Sequence, residues 1–187
     1  MDHYPELYIL RHGETTWNAE NRMQGALNSP LTTLGETQAA HQYEILRGCD
    51  LTGFDFWCSP QGRAFQTASI ALGHIAGRIR TDDRLREIEV GDWSGLLRSE
   101  LPTVSGEDPL LALYENAPNG EGLARLKARC QSFLADLTGP AVLVTHGITS
   151  RTIRSIVVKG PAKTPTTVGG GQGCVYHVKE GVQNLLE

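Results

Sequence analysis

The sequence lacks the long apolar runs, leader segment and basic blocks that mark several large protein classes. No apolar stretch is long enough to cross a bilayer, and residues 1–6 contain neither a basic n-region nor an apolar h-region. Lysine and arginine are spread along the chain, and the formal net charge is −4. Because nucleic acids and anionic membranes bind massed positive charge, this pattern argues against both as partners. We expect a cytoplasmic protein whose ligands are small molecules.

Cysteine is also scarce, and no two cysteines are close in sequence. The four cysteines are Cys49, Cys58, Cys130 and Cys174, and none of them forms a Cys-x-x-Cys motif. Their spacing signals neither a zinc site nor a disulfide framework, so we expect buried thiols. No other spacing of His, Cys or Asp is typical of metal ligands, and we predict no metal and no cofactor.

What the sequence does contain is an alternation of short apolar runs and amphipathic stretches. Apolar runs predict strands at residues 7–10, 54–58 and 141–145, alternation predicts a last strand at residues 174–178, and residues 78–81 could form a short third strand. Helical spacing of apolar residues predicts helices after the first, second and fourth strands and just before the fourth. This alternation is typical of an α/β fold with helices on both faces of a parallel sheet. We therefore predict a three-layer αβα sandwich with a mostly parallel sheet, forming one domain over residues 1–187.

Two polar positions have the properties of helix starts. Thr33 is followed by Glu36, the spacing of a capping box, so we expect Thr33 to be the N-cap of the helix after the first strand. Ser59 and Pro60 follow the second strand and suit the N-cap and first helical positions. This places Arg63 in the first turn of the next helix, where its guanidinium adds to the positive end of the helix dipole.

Residues 96–122 interrupt the alternation of strands and helices. The segment contains Pro102, Pro109 and Pro118 and several glycines, with room for one short helix around residues 110–114. We expect a short cover over the carboxyl ends of the strands rather than a separate domain.

Cationic and imidazole side chains follow three of the predicted strands. Arg11 and His12 end the first strand, Arg63 follows the second, and His146 follows the fourth. The carboxyl ends of parallel strands meet at one edge of a sheet, where open α/β sheets bind ligands. Two guanidinium groups, two imidazoles and helix N-termini at one edge make a pocket for a dianion, and a phosphoryl group is the usual dianion of metabolism. The sequence therefore indicates phosphoryl transfer.

Two carboxylates, Glu87 and Glu89, follow the third predicted strand. An alkoxide leaves phosphorus poorly unless it is protonated, so either residue is a candidate general acid.

Motifs of one known family recur along nearly the whole chain, in that family's order. They are Arg11-His12-Gly13-Glu14-Thr15, Trp17-Asn18, Arg22, Gln24-Gly25, Ser29-Pro30-Leu31-Thr32, Gly35, Ser59-Pro60, Arg63-Ala64, Thr67, Leu85-Arg86-Glu87, Gly91, Trp93, Gly95 and His146-Gly147. On these residues the chain resembles the histidine phosphatase superfamily, also called the phosphoglycerate mutase-like family.

The resemblance implies a role for each matching residue. His12 would be the nucleophile that becomes a phosphohistidine, and a backbone carbonyl near Gly13 could hold its other ring nitrogen. Glu87 would protonate the leaving oxygen and then activate water, with Glu89 as the weaker candidate. The residues implied to bind the phosphoryl group or the substrate are Arg11, Asn18, Gln24, Gly25, Arg63, His146 and Gly147, of which Arg11, Arg63 and His146 would also act in catalysis.

Three functions are compatible with such a site. A phosphatase must admit water, whereas a mutase must hold its product and exclude water until the phosphoryl group is transferred back to that product. Since the cover is short and has no adjacent pair of arginines for a substrate carboxylate, we favour a metal-independent phosphatase acting on a small phosphate monoester. Phosphoglycerate mutase is the runner-up, and a non-catalytic phosphate-binding protein is the third alternative. The ester and the oligomeric state stay open, and so does the choice between phosphate contact and structural ion pairing for Arg22 and Arg86.

Overall fold

The computed structural model describes residues 4–104, 108–160 and 164–187, which form one six-stranded sheet with helices on both faces. The strands are β1 (Leu7–Arg11), β2 (Asp55–Cys58), β3 (Arg80–Thr81), β4 (Ala141–Thr145), β5 (Val175–Lys179) and β6 (Val182–Leu186). They lie in the order β3-β2-β4-β1-β5-β6. The first four strands are parallel, β5 is antiparallel to β1, and β6 is antiparallel to β5. The predicted α/β fold with a mostly parallel sheet is confirmed.

Helices cover both faces of this sheet. They are α1 (Thr16–Ala19), α2 (Thr33–Leu46), α3 (Gly62–Leu72), α4 (Pro109–Glu115), α5 (Leu123–Asp136) and α6 (Gly147–Val157). Helices α2 and α3 pack on one face, and α5 and α6 pack on the other. Successive side chains of β1 alternate between these layers, with Leu7 and Ile9 on the α5–α6 side and Tyr8 and Leu10 on the α2–α3 side. Burial on both faces explains why β1 is an unbroken apolar run in the sequence.

The order of the strands determines where a site can form. The chain leaves β1 toward β2 on one side and leaves β4 toward β5 on the other, so a crevice opens between the carboxyl ends of β1 and β4. These two strands pair up to their last residues, which places His12 and His146 side by side. Strand β2 pairs with the other edge of β4, so Ser59 follows on the far side of His146. Three loops therefore start next to one another along one edge of the sheet.

Both helix starts predicted from the sequence are displaced. Thr32, not Thr33, is the N-cap of α2, and its hydroxyl accepts a hydrogen bond from the Gly35 amide at 3.1 Å. Gln61, not Ser59, precedes α3. Neighbouring polar residues compete for the same first-turn amides, and the path of the incoming loop decides between them, which residue spacing alone does not reveal.

Strand β6 was not predicted. It is an edge strand whose side chains are mostly exposed, and Gln183 and Asn184 interrupt its apolar pattern. A strand with little burial gives little periodicity to detect.

The cysteines and the helix lengths bear on two expectations drawn from composition. All four cysteines are free thiols, and Cys58, Cys130 and Cys174 are buried, as expected, whereas Cys49 is only partly buried. No helix within residues 4–104, 108–160 and 164–187 is long and apolar enough to cross a membrane.

The described residues of the segment predicted as a cover, 96–104 and 108–122, begin with contacts to the loop that follows β1. Leu97 forms an antiparallel bridge with Arg22, and the Arg98 amide donates to the Asn21 carbonyl at 2.9 Å. The segment continues through a 3-10 helix (Arg98–Glu100) and α4. These contacts fix its first part against the loop that follows β1.

Candidate active site

A cavity of about 40 Å³ lies at the carboxyl ends of the central strands. Its lining is Arg11, His12, Asn18, Arg22, Gln24, Gly25, Arg63, Glu87, Arg98 and Tyr114. One water molecule needs roughly 10–15 Å³, so the cavity accommodates a group of a few heavy atoms rather than a whole metabolite. The first eight lining residues were singled out from the sequence, whereas Arg98 and Tyr114 were not.

His12 is buried, and its two ring nitrogens have different partners. Nδ1 lies 2.7 Å from the Gly13 carbonyl oxygen, which can only accept, so Nδ1 carries the proton. Nε2 has the lone pair and accepts a hydrogen bond from Arg63 Nε at 3.2 Å. Burial, together with the charges of Arg63 and Arg11, holds the pKa of His12 well below the ordinary histidine value of about 6.5. His12 is therefore a neutral imidazole whose lone pair at Nε2 lies beside a guanidinium.

Arg63 lies in the first turn of α3, and backbone carbonyls of the loop after β1 hold its guanidinium. It is 1% exposed, and it donates to the Leu27 carbonyl at 2.6 Å and to the Gly25 carbonyl at 3.0 Å. Burial lowers the pKa of Arg63 to about 10, which still leaves it charged at neutral pH. An arginine has five N–H groups, and described residues including His12 use three of them. The other two are left for an incoming anion.

Arg11 lies against the first residue of α6. Its Cζ and Nε are each 3.4 Å from the position that a Cβ would take at Gly147, so the glycine lets the guanidinium approach the helix start. Burial lowers the pKa of Arg11, while the nearby Glu87 acts in the opposite direction. Arg11 Nε is buried with no hydrogen-bond partner among the described residues. An anion in the cavity would satisfy this donor.

His146 lies beside His12 rather than in the cavity wall. It is 0% exposed, and its ring meets the His12 ring edge-on with the two centroids 5.1 Å apart. Its Nε2 lies 2.8 Å from the Ser59 hydroxyl oxygen, and its buried Nδ1 has no partner among the described residues. Burial, and then the charge of Arg63, holds the pKa of His146 well below about 6.5, so this imidazole is also neutral.

The loop after β1 presents Asn18. The Thr15 amide donates to Asn18 Oδ1 and the Asn18 amide donates to Thr15 Oγ1, each at 3.2 Å, in a reciprocal capping box for α1. Gln172 also donates to Asn18 Oδ1, at 3.3 Å, and to the His12 carbonyl at 3.1 Å. Because the amide oxygen is engaged twice, the Asn18 NH₂ is the group left for a ligand.

Gln24 and Gly25 form another part of the wall. Gly25 has φ +52°, in the left-handed region that favours glycine. Its carbonyl accepts from Arg63 and from Gln61 Nε2, both at 3.0 Å. Gln24 is buried, and its Oε1 accepts from the Ser29 hydroxyl at 3.2 Å. The Gly25 carbonyl therefore orients the Arg63 guanidinium, and the Gln24 NH₂ is left as a possible donor.

Glu87 is anchored at the start of α6. Its Oε1 accepts from the amides of Ile88 and Thr149 and from the Thr149 hydroxyl, at 3.0–3.1 Å. Its Oε2 accepts from the Ile148 amide at 3.1 Å. A helix N-terminus suits a negative group, which explains why a carboxylate lies here. Oε2 has fewer donors than Oε1 and is the oxygen better able to exchange a proton with a ligand.

A second cavity, of about 370 Å³, lies on the other side of Glu87. Glu89 and Arg86 line this cavity rather than the one around His12. Arg22 lines the cavity around His12 and is also paired with Glu20 at 2.6 Å. The geometry thus separates Glu89 and Arg86 from the nucleophile candidate and places Arg22 in the cavity wall with an ion pair to Glu20.

The cover contributes two wall residues that the sequence motifs did not indicate. Arg98 donates to the Tyr114 hydroxyl at 2.8 Å, and its Cζ lies 5.8 Å from the centre of the Tyr114 ring. Arg98 is the one arginine in residues 96–122, and this was the available signal. The sequence gave no signal for Tyr114, because an aromatic residue in an amphipathic helix is as typical of a hydrophobic core as of a binding site.

Other parts of the described chain contain fewer side chains suited to catalysis or metal binding. A cavity of about 820 Å³ beside α5 and α6 has Lys127 and Lys159 in its wall, but no arginine or histidine among its described lining residues. No group of three or more His, Cys, Asp or Glu side chains in the described ranges could hold a metal ion. The chemically active side chains therefore converge on the small cavity around His12.

Known proteins resemble this chain over most of its length. The "Probable phosphoglycerate mutase GpmB" of Enterobacter sp. (strain 638) is 35% identical over 169 residues, which are 84% of this chain and 76% of that protein. The glucosyl-3-phosphoglycerate phosphatase of Mycobacterium tuberculosis is 32% identical over 182 residues, 88% of this chain and 80% of that protein. The crystal structure of the alpha-ribazole phosphatase from Shigella flexneri superposes with a TM-score of 0.79 at 26% identity, covering 96% of this chain and 94% of that one. Residues 7–183 match the family model of the histidine phosphatase superfamily (branch 1), and the chain belongs to that superfamily.

Proposed function

We propose that this protein is a phosphate monoester hydrolase that forms a phosphohistidine at Nε2 of His12. The observation that carries the proposal is the hydrogen bonding of His12, whose proton is held on Nδ1 by Gly13 while the Nε2 lone pair lies in a small cavity lined by guanidinium groups. Family membership supports it, because two of the three relatives compared carry phosphatase names. The size of the cavity favours binding of the phosphoryl group alone, with the rest of a small substrate lying outside.

In the first step, the Nε2 lone pair of His12 attacks phosphorus, and the bond from phosphorus to the leaving oxygen breaks as the P–N bond forms. Negative charge then spreads over the non-bridging oxygens, where the N–H groups of Arg11 and Arg63 stabilise it. Asn18 and His146 add one donor each. When phosphorus bonds to Nε2, the Arg63 Nε–H shifts its hydrogen bond from the ring nitrogen to a phosphoryl oxygen.

Glu87 carries the proton through both steps. In the first step its carboxyl group protonates the leaving oxygen, so that an alcohol departs instead of an alkoxide. In the second step a water attacks phosphorus, the Glu87 carboxylate takes its proton, and the electron pair of the broken P–N bond returns to His12. One ester and one water become one alcohol and one inorganic phosphate. A positioned acid typically contributes about 10²–10⁴-fold in rate.

The charge of the cover supports a hydrolase over a mutase. Residues 96–122 contain one basic residue, Arg98, and five carboxylates, so the cover is poorly suited to retaining an anionic product until it is rephosphorylated. The positive charge around the cavity comes from the arginines that line it, of which Arg11 and Arg63 provide, in this scheme, what a divalent ion provides in metal-dependent phosphatases.

The proposal is tested by following the fate of the phosphoryl group. The protein is incubated at mildly acidic pH with 4-nitrophenyl phosphate, and separately with 3-phosphoglycerate together with the corresponding bisphosphate. We expect release of inorganic phosphate that is abolished in His12→Ala and unchanged in His74→Ala, which alters an exposed histidine far from the cavity. Interconversion of phosphoglycerates without phosphate release would establish a mutase instead. Phosphate binding with no turnover of any ester would establish a binding protein.

A further inference from the structure

Ser59 has a partner that its place in the sequence did not suggest. It precedes α3 without capping it, it is 0% exposed, and its hydroxyl oxygen lies 2.8 Å from His146 Nε2. The Ser59 amide donates to the Val144 carbonyl at 2.9 Å, at the edge where β2 pairs with β4. The pairing of β2 with β4 therefore holds Ser59 and His146, the residues that follow these two strands, next to each other.

The direction of the hydrogen bond between Ser59 and His146 follows from counting protons. The Gln61 amide donates to Ser59 Oγ at 3.3 Å, which uses an acceptor site and leaves the hydroxyl proton free for His146 Nε2. His146 is neutral, so its single ring proton is then on Nδ1. In this arrangement one buried group, the Nδ1–H, lacks a partner among the described residues.

The reverse direction leaves two groups without a partner. If Nε2 carried the proton and donated to Ser59, the hydroxyl proton would have no acceptor among the described residues, and His146 Nδ1 would be a bare lone pair without a donor. Because every unsatisfied buried polar group destabilises the fold, the direction that leaves only one such group is favoured. It also makes Nδ1, the ring nitrogen with no partner among the described residues, a donor rather than a bare lone pair.

We infer that Ser59 is a positioning residue that holds the proton of His146 on Nδ1 and so makes that atom a hydrogen-bond donor for a phosphoryl oxygen. The inference rests on the proposed function, because the oxygen belongs to the phosphoryl group that His12 accepts. The rings of His146 and His12 lie side by side with their centroids 5.1 Å apart, and His146 Nδ1 is buried with no partner among the described residues. Ser59 itself touches no reacting atom and acts through His146.

The first test uses the wild-type protein and needs no activity. In the whole chain with ¹⁵N-labelled histidine, imidazole NMR spectra report which ring nitrogens carry protons, and His146→Gln assigns the His146 signals. We expect a protonated Nδ1 and an unprotonated Nε2 in His146. A proton on Nε2 would overturn the inference, whatever the enzyme does. The correct tautomer in a protein without phosphatase activity would refute the proposed function and leave the assignment of the proton intact.

The second test asks whether Ser59 acts through His146. We expect Ser59→Ala to lower kcat for 4-nitrophenyl phosphate by about 10- to 10³-fold, without exceeding the loss in His146→Gln, since removing one such donor costs about 10²–10³-fold. In the His146→Gln background, Ser59→Ala should cause less than about a twofold further loss, because the residues act as a unit. Ser59→Thr, which keeps the hydroxyl, should restore the tautomer and most of the rate.

Ser150→Ala is the matched control. It removes another buried serine hydroxyl, which accepts from Arg154 Nε at 3.3 Å, from α6. We expect this variant to keep the His146 tautomer and wild-type kcat. Full activity in Ser59→Ala, or a loss that persists undiminished in the double variant, would show that Ser59 has no role through His146. If Ser59→Ala does not fold, the wild-type spectrum still decides the position of the proton.

Discussion

Replacing Glu87 with glutamine separates its proposed role as proton donor from its structural role. The carboxylate accepts four hydrogen bonds, three at Oε1 and one at Oε2. Glutamine can keep the oxygen that accepts three, but it places an NH₂ group against the Ile148 amide. The loss of one hydrogen bond to a charged group, about 1.5–3 kcal/mol, and of the interaction with the helix dipole, about 0.3–1 kcal/mol, predicts a fall of roughly 2–4 kcal/mol in the free energy of unfolding.

The kinetic effect of Glu87→Gln should depend on the leaving group. An alkyl phosphate needs its leaving oxygen protonated, whereas 4-nitrophenolate is a stable anion. The ratio kcat/KM reports the steps up to departure of the leaving group, so the loss of the general base in the second step does not enter it. We expect kcat/KM to fall by about 10²–10⁴-fold for an alkyl phosphate and by less than about 10-fold for 4-nitrophenyl phosphate, measured as initial rates of product release.

The comparison contains its own control for structural damage. A distorted site would slow both substrates to the same extent, so equal losses would remove Glu87 from the acid role. Glu89→Gln is the matched variant, because that carboxylate lines the neighbouring cavity. It should leave both substrates at wild-type rates.

Three further predictions follow from the charges around the cavity. The free energy of unfolding should fall as the pH is lowered below about 6.5, by up to about 1.4 kcal/mol per pH unit for each of His12 and His146, because burial lowers their pKa values in the native state and only the unfolded chain takes up the protons. In urea titrations between about pH 5 and 6.5, a range above carboxylate titration, His12→Asn should show half of the wild-type dependence of this free energy on pH. An unchanged dependence would contradict the buried neutral imidazole. Arg98→Met should lower kcat/KM by about 10-fold or more for esters with a second anionic group, such as 3-phosphoglycerate, and by less for 4-nitrophenyl phosphate. Arg86→Met should leave kcat/KM unchanged for both esters. Equal losses on both esters in Arg98→Met would make Arg98 a phosphoryl ligand only. Activity should persist within about twofold in excess chelator, because arginines supply the positive charge; a loss reversed by a divalent metal would contradict the scheme.

The fold and the convergence of the site could be predicted because they depend on patterns that repeat. β1 and β4 are buried on both faces, so each is an uninterrupted apolar run. Parallel strands bring their carboxyl ends to one edge, so a cation or imidazole after each strand implies a shared pocket. His12 and Arg63, which follow two different strands, do line one cavity in the structure.

Details that depend on where a side chain points could not be predicted from the sequence. Spacing suggested that Ser59 caps a helix, but the register of β2 against β4 turns its hydroxyl toward His146 instead. The same limit hid the anchoring of Glu87 by Thr149, since a hydroxyl two residues into a helix has several possible acceptors. Arg98 reaches the cavity through the path of the cover, which no residue pattern encodes.

The most direct test of the account is to trap the covalent intermediate. Wild-type protein is mixed with substrate, quenched within milliseconds in alkali, where phosphohistidine survives, and digested for mass spectrometry, with ³¹P NMR to distinguish the two ring nitrogens. We predict a phosphoryl group on Nε2 of His12, at up to one per chain, and none in His12→Ala. Turnover with a phosphoryl group on another residue, or with none on the protein at all, would contradict the central claim.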